Sequence, residues 1–258
     1  MGISSHLACA LLVAGAALMA AEGACAQALD IDGADIEKGE REVRIVNIVN
    51  GGWRRAADGE PRSSHELSAA YSPSDWLKAI VHVDVENVIG EGAFADHVGF
   101  ETLIALRKAE DTRGIALTWY TGLMVSTDGR STNSRVFGPV LKFAEGPTAL
   151  TLNTYLEDTF GRNDDPGRNG LYGWQLRHEL NDSLALGLEG FGKIENLGSA
   201  TSWNEQDHRA GPALFLSWDA GHGRRIGLDL GVYAGLTDAA PDITFKLNSG
   251  VTFPSQNR

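Results

Sequence analysis

Cysteine is missing from almost the whole chain. Both cysteines, Cys9 and Cys25, fall within the first 28 of 258 residues. From residue 29 onward no disulfide framework, thiolate nucleophile, Cys-ligated metal or C-x-x-C-H haem site can be assembled. Methionine is almost as scarce, with Met124 alone after residue 28. The histidines His65, His82, His97, His178, His208 and His222 are scattered, so no metal site and no cofactor is expected. No run of 18 apolar residues follows residue 28, which excludes a membrane-spanning helix. Bases are outnumbered: 22 Lys and Arg against 34 Asp and Glu give a net charge of −12, a poor balance for nucleic-acid binding.

The first 28 residues read as a processing segment. Leu7 to Ala21 is an apolar run containing Leu11, Leu12, Val13, Leu18 and Met19. It ends in small residues at Ala24-Cys25-Ala26, with a second A-x-A option at Ala26-Gln27-Ala28. This is a secretory signal cleaved near 26 or 28, too short for a membrane helix, although its start carries only His6 and no Lys or Arg. Glu22, Gly23 and Ala24 before Cys25 do not make the aliphatic context of a lipid-anchored cysteine. Residues 29–258 then form one large domain, with a charge of −11 once Glu22 is removed.

What the chain does contain is alternation. In Arg225 to Leu236 every even position from Ile226 is apolar, while Gly227, Asp229, Gly231, Tyr233 and Gly235 hold the odd positions. In a strand this gives one oily face and one small or polar face, over about the 9–11 residues that cross a bilayer as a tilted strand. Twelve segments share this character, at 38–50, 63–71, 75–87, 96–108, 114–126, 133–144, 147–158, 169–180, 183–195, 206–218, 224–236 and 242–253. The first is ambiguous, because Val43/Ile45/Val49 and Val46/Ile48 are both apolar sets.

Connection lengths add an independent pattern. Those after even segments are short, such as Ser72 to Ser74, Glu145-Gly146 and Asn181-Asp182. Most of those after odd segments are longer: 51–62, 160–168 and 196–205, with 237–241 a short exception. Short turns at one end and long loops at the other are the layout of an outer-membrane barrel, and an even strand count leaves both termini on the short-turn side. Tyr71, Trp76, Trp218 and Phe253 fall at one set of strand ends, and Phe160, Tyr172 and Trp174 at the other, as interfacial girdles do. A soluble sandwich would also bury an alternating face, but twelve long segments with one-sided short turns suit it less well.

On these residues the chain resembles a Gram-negative outer-membrane β-barrel protein. Its opening Asp35-Ile36-Glu37-Lys38-Gly39-Glu40 and its repeated strand, short turn and Trp are more loosely similar to small barrels grouped with phenol-degradation-pathway (MetA-type) outer-membrane proteins. The resemblance implies an all-β fold: an antiparallel transmembrane up-and-down β-barrel of about 12 strands in the bacterial outer membrane. It also implies a lipid bilayer and lipopolysaccharide as surroundings. A terminal aromatic strand would be read by the barrel-insertion machinery, although here Pro254 to Arg258 follow Phe253, where the usual pattern ends on the aromatic.

The polar phase of the strands marks the candidate lumen lining: Lys78, His82, Asp84, Glu86, Glu101, Glu157, Arg177, Glu179, Glu189, Asp229 and Lys246, with Glu66, Arg107, Lys142, Lys193 and Arg209 in the same phase. Mixed charge gives no ion preference. Twelve strands lie between small barrels filled by side chains and 16-stranded porins that leave a channel. The leading expectation is therefore porin-like passive passage of small solutes, hydrophobic ones among them. The alternatives are a structural or surface-interaction barrel with a closed lumen, acting through loops 51–62, 160–168 and 196–205, and an outer-membrane lipid hydrolase.

No enzyme is expected from the motifs. Gly187-Leu-Glu-Gly-Phe-Gly192-Lys193 has phosphate-loop spacing, but Ile194 replaces the Ser or Thr and the run lies inside a strand rather than before a helix. His178-Glu179 lacks a second His four residues on. A lipid hydrolase would need Ser and His on adjacent strands of the lipid-facing wall with an orienting polar group. His178 falls on the outward phase, and neither G-x-S-x-G nor an obvious Asn-His-x-Ser pattern occurs. The Asp/Asn-rich loop Gly161–Gly170 lacks an EF-hand's carboxylate ladder and reads as solvated turn.

Overall fold

The computed structural model describes residues 29–51, 61–88, 92–110, 112–127, 132–161 and 168–255. The expected signal at 1–28, most of loop 51–62 and residues 162–167 of the Asp/Asn-rich loop lie outside the described residues.

Twelve strands follow one another: β1 Arg41–Gly51, β2 Pro61–Ser74, β3 Leu77–Val88, β4 Gly92–Arg107, β5 Arg113–Ser126, β6 Asn133–Glu145, β7 Thr148–Phe160, β8 Arg168–Asn181, β9 Leu184–Ile194, β10 Asp207–Asp219, β11 Arg225–Gly235 and β12 Ile243–Phe253. Each pairs antiparallel with its sequence neighbours, and β1 pairs with β12 from Arg41↔Phe253 to Gly51↔Ile243. The sheet is thus a closed barrel without a free edge, as expected. Closure satisfies backbone groups that could not otherwise face hydrocarbon.

Short hairpins close one end. Gly146 takes φ +60°, a left-handed conformation open to glycine, in the two-residue turn between β6 and β7. Asn181 Oδ1 accepts from the Ser183 amide at 3.0 Å and closes the β8–β9 turn in the same local way.

The outer wall is apolar. Val43, Leu67, Val81, Val83, Phe100, Leu123, Leu186, Leu188, Leu230, Val232 and Phe245 are all exposed, distributed around the barrel. In water such a continuous apolar belt would drive association; in a bilayer it is the solvated surface.

The interior is where the chain departs from the simplest reading. Residues 29–40 do not lie outside the barrel but run within it as a strap. Leu29 packs with Val46, Ile48, Phe191 and Tyr233. Ala34 and Ile36 pack with Ile80, Leu103, Ala116, Tyr120, Met124, Val136 and Val140. This settles the ambiguous first strand: Val46 and Ile48 point inward onto the strap, while Val43 is exposed outward. One inward expectation fails. A register shift between Ala105 and Arg107 pairs Arg107 with Leu117 on the outer phase, so Arg107 is exposed rather than luminal. A bulge flips the alternation on which that expectation rested.

Candidate functional site

The site is the barrel interior together with the strap. The strap enters beside β2, where the Gly39 amide donates to the Ser72 carbonyl at 2.7 Å and the Ser72 amide to the Glu40 carbonyl at 3.0 Å. Further in, wall side chains hold it. Lys108 Nζ donates to the Ile36 carbonyl at 3.0 Å and Thr118 Oγ1 to the Ala34 carbonyl at 3.0 Å. Asn153 Nδ2 donates to the Asp32 carbonyl at 3.2 Å and Tyr155 OH to Asp32 Oδ2 at 2.6 Å. Lys142 pairs with Asp35. Arg44 lies 2.7 Å from Asp30 and 3.6 Å from Glu66. Apart from the contact with Ser72, these bonds run from side chains to the strap rather than from a neighbouring strand's backbone.

The candidate lining residues group around this strap. On one side Lys78 Nζ lies 2.7 Å from Glu42 and 3.8 Å from Glu40. His82 sits between Asp84 (3.6 Å) and Glu101 (3.4 Å), and Tyr120 OH donates to Glu101 at 2.7 Å. The His82 ring lies across Gly99, where an added Cβ would fall 1.8 Å from Nε2, so glycine is required there. Glu86 is half-buried opposite Ser64.

Across the barrel, Lys246 Nζ lies 2.8 Å from Glu189, both essentially inaccessible. Glu189 also accepts from Gln175 Nε2 at 2.7 Å and from Tyr233 OH. Asn248 Nδ2 reaches Asp229 at 3.4 Å. Glu157 is bound by Asn169 Nδ2 at 2.9 Å and by Lys193 at 3.3 Å. Arg177 and Glu179 pair with each other at 2.8 Å near the short-turn rim, with the Arg177 guanidinium 4.7 Å over the Phe215 ring.

Between strap and wall two small cavities remain, of about 30 and 40 Å³. Both border Asp32 and Arg44, the first also Lys78 and the second Glu66 and Glu101. Each has room for about one water molecule. Among the described residues no cluster of three or more His, Cys, Asp or Glu could hold a metal.

The other motifs resolve differently. The phosphate-loop-like run is strand β9, and its glycines seat aromatic rings: a Cβ on Gly190 would meet Trp174 Nε1 at 2.3 Å, and one on Gly192 would meet Tyr172 at 2.3 Å. Tyr172 OH is 2.8 Å from His208 Nδ1, and Trp203 stacks on His208 at 3.6 Å. His178 faces outward and is exposed, with Thr148 Oγ1 at 2.8 Å from its Nδ1.

No protein-family model matches this chain, and no curated protein matches it either. Solved structures do. The chain is similar to the NanC porin at a TM-score of 0.53 and 12% identity, over 82% of this chain and 99% of that one. It is similar to an outer membrane channel from Pseudomonas putida F1 at 0.60 and 13% identity, over 87% of this chain and 98% of that one. At these identities the likeness is one of fold: the protein is a closed antiparallel β-barrel of the outer-membrane type.

Proposed function

We propose that this barrel carries small solutes passively across the outer membrane along its charge-lined interior, and that the strap 29–40 must shift for passage to occur. The observation that carries the reading is how the strap is held. It runs through the lumen, yet beyond Gly39 and Glu40 its polar contacts among the described residues are individual side-chain bonds and ion pairs beside apolar packing, not a strand ladder. Bonds of this kind contribute about 0.5–1.5 kcal/mol each, so the strap is a removable occupant rather than a thirteenth wall element. The solved porin and channel of the same fold support the assignment to passage. With the strap displaced, Lys78, His82, Asp84, Glu86, Glu101, Glu157, Arg177, Glu179, Glu189, Asp229 and Lys246 would line the path. Residues 1–28 would serve as the export signal. Lipopolysaccharide would surround the loop end, and the insertion machinery would read β12.

A closed structural barrel is the competing reading, favoured by the small size, about 30 and 40 Å³, of the two cavities between strap and wall. The experiment is to delete residues 29–38 and record the refolded barrel in a planar bilayer. Passage predicts discrete conductance steps larger than those of the intact protein. A folded deletion variant that stays silent would leave the structural reading standing.

A further inference from the structure

Three polar side chains occupy the outer wall where β1 meets β2. Ser63 and His65 lie on β2 in the phase of Leu67, which is 51% exposed, and Asn47 lies on β1 in the phase of Val43. Ser64, Glu66 and Ile48 take the opposite phase, toward the lumen. The register sets Asn47 directly opposite His65. Ser63 Oγ is 3.1 Å from His65 Nε2, and His65 Nδ1 is 3.0 Å from Asn47 Oδ1. Asn47 Nδ2 donates to the Leu247 carbonyl at 3.4 Å. With its nitrogen so directed, the amide presents Oδ1 to His65. That favours the Nδ1–H tautomer and leaves the Nε2 lone pair for the serine hydroxyl.

The order is nucleophile, base, orienting group, the arrangement that activates a serine. An ionisable side chain buried in the outward phase of a membrane-spanning strand is costly and points to function. A second feature lies next to it. The β2–β3 register passes from Pro61↔Val88 to Ser63↔Asn87, and the β1–β2 register ends at Val49↔Ser63, so Arg62 is paired in neither. Arg62 therefore forms a bulge in β2 directly beside Ser63.

We propose that Ser63, His65 and Asn47 form a hydrolytic site for acyl esters of membrane lipids. The trio sits a few residues from the loop-side ends of β1 and β2, the ends that in an outer-membrane barrel lie toward the outer leaflet. It is enclosed, with 0, 3 and 2% exposure for Ser63, His65 and Asn47, so a lipid must part the surrounding contacts to enter. Ser63 Oγ attacks the ester carbonyl carbon as His65 Nε2 takes its proton. The tetrahedral adduct collapses, the C–O bond to the alcohol breaks, and His65 returns the proton to the leaving alkoxide. Water, deprotonated by His65, then cleaves the acyl-serine to release the fatty acid and restore Ser63. Ester plus water gives acid plus alcohol, with no other reactant. The lumen takes no part, so this site and the passage reading stand or fall separately.

The test uses the full-length protein purified from membranes, with heat-modifiable migration reporting folding. Fatty acid release is measured from phosphatidylethanolamine micelles and from lipopolysaccharide, which separates the two sources of ester. A fluorophosphonate probe followed by mass spectrometry reads the nucleophile. The proposal predicts a probe adduct on Ser63 and release from one of the substrates. Release should fall at least about 100-fold in Ser63→Ala and His65→Ala and remain unchanged in His178→Ala. Asn47→Asp, which keeps an acceptor for Nδ1–H, should retain release where Asn47→Leu loses it. A folded protein with no adduct and no release above the Ser63→Ala background would overturn it, as would release that persists in folded Ser63→Ala.

Discussion

At the scale of single residues, the Lys246–Glu189 pair shows what the interior demands. Two opposite charges 2.8 Å apart sit at 2% and 0% side-chain exposure, and Glu189 gathers further donors from Gln175 and Tyr233. Removing one partner of such a pair strands the other charge, at a cost of about 3–5 kcal/mol. Lys246→Met should therefore lower barrel stability by about that amount in urea titrations, while Lys246→Met combined with Glu189→Leu should cost clearly less. Alternation alone placed both residues in the polar phase, because side-chain direction in a strand is fixed by parity. It could not pair them, since that depends on which strands face each other across the barrel. Parity also misassigned Arg107, where a one-residue bulge reverses it. The Ser63–His65–Asn47 trio is hidden in the sequence for a related reason: His65 is one scattered histidine there, and only the β1–β2 register sets Asn47 opposite it.

At the scale of elements, each of the twelve strands was legible from alternation and from the inequality of turns and loops, to within a few residues at their ends. The strap was not, although its signal is present. Leu29-Asp30-Ile31-Asp32 alternates apolar and acidic residues, and Ala34 and Ile36 flank Asp35. The segment is too short to span a membrane and forms no hairpin with the strand that follows it, β1, which pairs with β2 and β12, so the pattern points to no partner. Its partners are the inward apolar residues of β3 to β6 and of β1, β9 and β11. Ile36, 3% exposed among Ile80 and Leu103, anchors it. Ile36→Asp would bury a carboxylate in that cluster and should free the strap. Limited trypsin digestion should then cut after Lys38 several-fold faster than in the unaltered barrel, while heat-modifiable migration is kept. An unchanged cleavage rate would mean that Ile36 does not anchor the strap.

At the scale of the whole molecule, closure and the apolar belt decide where the protein can exist. Leu230 stands mid-strand on the outer face of β11, 40% exposed. Leu230→Arg should cost about 2–4 kcal/mol in folding into bilayers if that face meets lipid at mid-depth. A negligible cost would refute that facing. The central claim is that one internal segment stands between a filled barrel and a conducting one. Residues 29–258 contain no cysteine, so a single introduced pair can lock the strap without competing thiols. Ala34→Cys with Thr118→Cys places that pair where the Thr118 hydroxyl reaches the Ala34 carbonyl at 3.0 Å. The decisive measurement is single-channel conductance of this variant in a planar bilayer, oxidised and then reduced. The account predicts silence under oxidation and discrete steps after reduction; the same conductance in both states would contradict it.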